Sequence, residues 1–189
     1  MRIIILLSLL ACVGCSYRPD GTYFSKGIAQ YKGEGTIRDV SQKAILFGSR
    51  GYVIEFEKFG LDHEFNKELR LTYLPTLSGR NVEICLAFED YPIGDSFDDR
   101  FRKGLDAAVT VCLTDSAGNI VTKFSSKVGD LTWSSPVHGY NGCWLYSQAG
   151  SFFTPQPRET YILNVSYSSD ATLRGKRGSL YLYSGCGGS

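Results

Sequence analysis

Two histidines, six cysteines and 19 acidic side chains carry the reactive chemistry of this 189-residue chain. Their spacing argues against a catalytic set. His63 stands between Asp62 and Glu64, a solvated loop context, and a general base needs an oriented nucleophile within reach. His138 lies in Ser134-Ser135-Pro136-Val137-His138-Gly139-Tyr140, where a serine–histidine partnership is the weakest reading, because residues adjacent in sequence seldom compose a catalytic pair. Neither a Gly-x-Ser-x-Gly elbow nor a His-Glu-x-x-His run occurs. Glu89, Asp90, Asp95, Asp98 and Asp99 offer the oxygen ligands that calcium takes, but at no calcium-loop spacing. Arg100, Arg102 and Lys103 follow at once and favour a self-paired, solvated loop. The cysteines lack the close-spaced partners of a zinc site. No metal, no cofactor and no enzyme activity is expected; a hydrolase using His138 is the residual alternative.

The cysteines point to attachment and cross-linking instead. Met1-Arg2 supplies a minimal positive start, and Ile3 to Val13 an almost unbroken apolar stretch that turns polar at Ser16-Tyr17-Arg18-Pro19-Asp20-Gly21. A spanning helix needs roughly 20 apolar residues, so the segment reads as a signal sequence. It ends in Leu9-Leu10-Ala11-Cys12-Val13-Gly14-Cys15.

Those residues resemble the lipobox of bacterial lipoproteins. The resemblance implies that one thiol receives diacylglycerol, that the peptide is cut on the amino side of that cysteine, and that further palmitate-type acyl chains complete the anchor. Leu9-Leu10-Ala11 before Cys12 fits the leucine position better, whereas Cys15 gives the more usual signal length. Cys15 is favoured, with Cys12 the alternative. Its acylation discards Cys12 and leaves Cys85, Cys112, Cys143 and Cys186, an even set suited to an oxidising compartment. Ser16 in place of the aspartate that retains many such proteins implies export to the outer membrane, facing the periplasm. A single acyl chain binds membranes weakly, and multiple chains make the anchor stable.

Four cysteines allow three pairings. Cys85 and Cys112 both fall opposite the core-facing set of their strands, and Cys143 and Cys186 both sit beside glycine in turn-like contexts. Cys85 with Cys112 and Cys143 with Cys186 are the favoured pairs; buried reduced thiols are the alternative.

The elements that position these residues are strands. Tyr52, Ile54 and Phe56 alternate with Glu55 and Glu57; Leu69, Leu71 and Tyr73 with Arg70 and Thr72; Val82, Ile84, Leu86 and Phe88 with Glu83, Cys85 and Ala87. Each predicts a half-buried antiparallel strand. Val109 to Leu113, the turn Asp115-Ser116-Ala117-Gly118-Asn119, and Ile120 to Phe124 predict a hairpin. Tyr161 to Tyr167 and Leu180 to Tyr183 add two more strands. With 21 glycines, 12 tyrosines and 11 phenylalanines, the chain is expected to be an all-β, single antiparallel β-sandwich of Greek-key or jelly-roll wiring with little helix. The expected divisions are a signal peptide at 1–14, a membrane-proximal linker at 15–35 and the sandwich at 36–189. A long loop is expected over Asp90 to Lys103, with a helical turn around Asp98 to Gly104. The alternation over Gly51 to Gly185 loosely resembles small β-sandwich lipoproteins of domain-of-unknown-function families, which implies a fold and an address and carries over no functional residue.

Twenty basic against 19 acidic side chains leave no global field for nucleic acid. The stretch Leu131 to Pro157 contains no charged side chain except through its histidine, yet holds Trp133, Tyr140, Trp144 and Tyr146. Such rings suit a sugar-stacking or protein-anchoring surface if exposed, and a core if turned inward. The expected partners are therefore the membrane, through the N-terminal lipid, and an envelope protein. The leading expectation is a macromolecule-binding lipoprotein, of immunity or inhibitor type; a carbohydrate-binding module for envelope glycans is the alternative.

Overall fold

The computed structural model describes residues 28–40, 51–76, 81–92, 102–134, 140–145 and 153–184, with the backbone alone at Pro92, Ser134, Tyr140, Asn141 and Trp144. Eleven strands run through them: β1 (Thr36–Asp39), β2 (Tyr52–Glu55), β3 (Phe59–Gly60), β4 (Phe65–Thr72), β5 (Glu83–Pro92), β6 (Ala108–Thr114), β7 (Ile120–Lys127), β8 (Trp133–Ser134), β9 (Tyr140–Trp144), β10 (Thr160–Tyr167) and β11 (Arg177–Ser184). The larger sheet has the order β1-β2-β11-β5-β9-β8, with β3 also on β11; the smaller is β4-β10-β6-β7. Every pairing is antiparallel. Setting aside the short β3 and β8 and the edge strand β1, the remaining strands lie in the order 1-8-3-6 in one sheet and 2-7-4-5 in the other. That is jelly-roll wiring, so the chain is an all-β sandwich of the expected class.

Strand parity explains the core. Tyr52, Ile54, Leu86, Phe88, Leu180 and Leu182 of the larger sheet face Leu69, Leu71, Val111, Leu113, Leu163 and Val165 of the smaller, all of them buried. Burying each such side chain fully is worth about 1.5–3 kcal/mol against leaving it in water. The hairpin forms where its turn residues require it. The Asp115 carboxylate accepts from the amides of Ala117 and Asn119 at 3.0 and 2.8 Å, and Gly118 takes a φ of 83°.

Four expectations change. First, β5 is buried on both faces, because Cys85 and Ala87 pack with Val53 and Tyr181 on the side of the larger sheet away from the main core. Second, Tyr73 leaves its strand: it has a φ of 59° and is exposed. Third, the segment before Thr36 is part of the domain as far back as Ile28. Ile28 and Tyr31 pack on the core, and the Lys32 and Glu34 amides donate to the Thr72 and Arg70 carbonyls at the free edge of β4. The expected linker therefore extends no further than residue 27. Fourth, β5 continues to Pro92, into the expected loop, while Arg102 and Lys103 have helical backbone. Asp95, Asp98, Asp99 and Arg100 lie outside the described residues. No helix among the described residues is long and apolar enough to cross a membrane.

Candidate functional site

The pairing of β5 with β11 sets Phe88 beside Gly178 and Ala87 beside Ser179, so Glu89 projects on the same side of the sheet as Ser179 and Tyr181. A carboxylate in that position loses water and must be compensated. Its Oε1 accepts from Ser179 Oγ at 2.5 Å and from the Tyr181 hydroxyl at 2.7 Å; its Oε2 accepts from Lys58 Nζ at 2.5 Å. Lys58 reaches it from the connection between β2 and β3. The line continues outward: the Tyr181 hydroxyl stands 3.5 Å from Glu55 Oε1, and Glu55 pairs with Arg38 at 2.5 Å. One line of polar contacts thus crosses β5, β11, β2 and β1, ending in an ion pair.

Desolvation pushes the Glu89 carboxyl up, but the Lys58 ammonium and the two hydroxyls outweigh it and hold the group below the usual carboxylate range. Burial, with Glu89 and Glu55 adding to it, pushes the Tyr181 phenol up, which keeps it a donor. A general base needs a pKa near the working pH and a free lone pair toward substrate. Three donors hold the Glu89 carboxylate in its charged form, as in a structural ion-pair network.

Lys58 also lines a pocket of about 240 Å³ at the open edge of the sandwich. Phe56 and Leu180 come to it from the larger sheet and Phe65 and Leu69 from the smaller, with Phe59 between. The rings of Phe59 and Phe65 lie 4.0 Å apart, and both approach Tyr167, at 5.9 and 5.6 Å. Glu34, Glu57, Lys58 and Lys67 form the rim. Lys67 Nζ on β4 and Glu57 Oε2 in the connection between β2 and β3 stand 3.5 Å apart and are both exposed. An apolar floor with a few placed charges is the usual build of a binding concavity.

The residues singled out in the sequence are dispersed. Trp133 is half-buried and turns inward: its ring lies 4.9 Å from Phe88, with the Arg102 guanidinium 5.8 Å from its centroid. Trp133 pairs with Cys143 and Trp144 with Cys85. The side chains of Tyr140 and Trp144, and all of Tyr146, fall outside the described residues, as do Cys12, Cys15, His138 and Cys186. His63 is exposed, with Nδ1 2.7 Å from Asp62 Oδ1.

The favoured disulfide is corrected. Cys85, Cys112 and Cys143 are free thiols. Cys85 and Cys112 do both lie opposite the main core, but on β5 and β6, strands of different sheets. Their thiols point away from each other on opposite outer faces. Cys143, the proposed partner of Cys186, pairs with Leu86 and packs in the main core. Burial above all pushes the Cys85 and Cys143 thiols well up, Glu83 adding to the first and Cys85 to the second, which suits inert core groups. Among the described residues no three His, Cys, Asp or Glu side chains are grouped to hold a metal ion.

The Lys58–Glu89 network and the edge pocket were missed in the sequence. A trace of the first is visible: a strand face composed of Cys85, Ala87 and Glu89 is too small and apolar for an open solvent face.

Fold and site together define a jelly-roll β-sandwich with a small charged-rim pocket between its sheets. No family model matches the chain, and no curated protein matches it. A solved structure of an arabinose-bound MgGH51 α-L-arabinofuranosidase is similar over 84% of this chain and 23% of its own length, at 12% identity and a TM-score of 0.24. The chain thus spans under a quarter of that enzyme, and a likeness of this degree carries no argument about activity.

Proposed function

We propose that the chain is the precursor of a lipid-anchored protein of the bacterial cell envelope, held at the outer membrane through Cys15, whose sandwich binds a macromolecular partner in the manner of an immunity or inhibitor protein. The address rests on the lipobox-like Leu9 to Cys15 segment. The observation that supports binding is the edge pocket, where five apolar side chains are ringed by two acids and two lysines. Such a site gives an inserted apolar side chain a dry floor and gives its flanking charges a register. The neutral overall charge favours a partner recognised locally over one drawn in by a long-range field.

The test is capture of partners from envelope extracts by the full chain, beside a control lipoprotein. Glu57→Lys and Lys67→Glu, both at exposed rim positions, reverse the local charges without touching the core. The expected result is a specific partner whose recovery falls with either substitution at unchanged Tm. No enrichment over the control, or recovery indifferent to both substitutions, contradicts the proposal.

A further inference from the structure

Among the described residues only two besides glycine have left-handed backbone, Tyr73 with a φ of 59° and Arg158 with a φ of 62°. Both line one concavity of about 350 Å³, together with Gln30 and Lys32. The conformation costs free energy for any residue with a Cβ, and such residues persist where the surrounding structure imposes them, often at ligand sites.

The local framework shows how it is imposed. Gln156 to Glu159 is a turn closed by the Glu159 amide donating to the Gln156 carbonyl at 3.3 Å, with Pro157 second and Arg158 third. Proline followed by a residue of positive φ is the type II arrangement, in which the third position ordinarily takes glycine. Arginine stands there instead. Tyr73, the first residue beyond β4, donates its amide to the Glu159 carbonyl at 3.1 Å, and Lys32 donates its amide to the Thr72 carbonyl at 3.1 Å. Three segments are therefore fixed at one end of the β4–β10 pair, where Thr72 meets Thr160.

The charges are left available. Among the described residues neither Lys32 nor Arg158 has an ion-pair partner. Glu159, next to Arg158, spends its Oε1 on the amides of Ser116 and Thr160, at 3.2 and 3.0 Å. Glu34 gives its Oε1 to the Arg70 amide at 3.1 Å. Tyr73 is 38% exposed, one of the large hydrophobic side chains turned to water among the described residues.

We propose that Gln30, Lys32, Tyr73 and Arg158 form a binding site for an oxyanion group, a carboxylate or a phosphate carried on a polar molecule. The Arg158 guanidinium is suited to take two oxygens in its fork, Lys32 supplies a second charge, and the Tyr73 ring gives a flat wall for the body of the ligand. Glycine would serve the turn with less strain, and would remove the fork. The site uses none of the residues of the edge pocket and does not depend on the partner reading.

The test titrates the full chain in neutral detergent with inorganic phosphate, D-glucuronate and D-glucose by calorimetry. Saturable binding of at least one anion is expected, with a Kd of about a millimolar, and no response to glucose. Phosphate alone or glucuronate alone identifies which oxyanion the site prefers. Arg158→Gln and Lys32→Gln each weaken the response about tenfold. Arg158→Gly abolishes binding while raising Tm by about 2–4 °C. No saturable response to either anion, undiminished binding in Arg158→Gln, or a fall in Tm with Arg158→Gly overturns the proposal.

Discussion

Glu89 Oε2 lies 2.5 Å from Lys58 Nζ, joining a carboxylate side chain that is 2% exposed to an ammonium side chain that is 47% exposed. The lysine is thus the wet end of a contact whose other end is dry. Because Lys58 also lines the edge pocket, the outer-face network and the space between the sheets meet at one residue.

Replacing Glu89 by Gln removes the charge and keeps an acceptor for Ser179 and Tyr181. The expected loss is about 1–3 kcal/mol at neutral pH, measured by urea unfolding. Lys58→Met is expected to cost at least as much, because it leaves the buried Glu89 carboxylate with two hydroxyl donors and no cation. The pH dependence has a definite sign. Glu89 is held below its ordinary pKa in the fold, so its contribution is present above the unfolded value of about 4.3 and is lost as pH falls through the folded value. Wild type and Glu89→Gln should converge in stability on acidification. A constant gap down to the lowest pH at which both remain folded would contradict this account.

Gly118 tests backbone strain alone. A Cβ built on it meets nothing within 4 Å, yet its φ is 83°. Gly118→Ala should therefore destabilise by about 1 kcal/mol through the dihedral only, lowering Tm by about 2–4 °C with the unfolding slope m unchanged. An unchanged Tm would mean that the hairpin turn is not held in this form.

Thiol reactivity tests the corrected cysteine reading. Cys85 and Cys143 are 1% exposed, whereas Cys112 is half-buried on the outer face of the smaller sheet, in register between Asn164 and Lys123. Peptide mapping after brief maleimide treatment should find Cys112 labelled first of these three, and Cys85 and Cys143 labelled only as the protein unfolds. A Cys85–Cys112 cross-link recovered from folded, non-reduced protein would refute the sheet assignment.

Alternation along Tyr52 to Phe56, Leu69 to Tyr73 and Val82 to Phe88 made the strands readable, since the side-chain period of two is local. It could not say which strands lie in the same sheet. Cys85 and Cys112 have the parity expected of them and still cannot meet, because jelly-roll wiring sends β5 and β6 to opposite sheets. The same gap hid the site. Lys58 and Glu89 are 31 positions apart, and Ser179 and Tyr181 join them only through the β5–β11 pairing. The inward turn of Trp133 followed the commoner fate of large aromatics, whereas the left-handed Arg158 had a legible cue in Pro157, which sets up a turn without supplying the glycine that usually completes it.

The lipid anchor is the claim on which the proposed function most depends. Intact mass and membrane partitioning should be measured for the protein expressed with its own N-terminus, beside Cys15→Ala and Cys12→Ala. The account predicts an acylated, membrane-associated wild type, loss of both properties in Cys15→Ala, and their retention in Cys12→Ala. A wild-type mass without acyl chains, or membrane association indifferent to both substitutions, would contradict it.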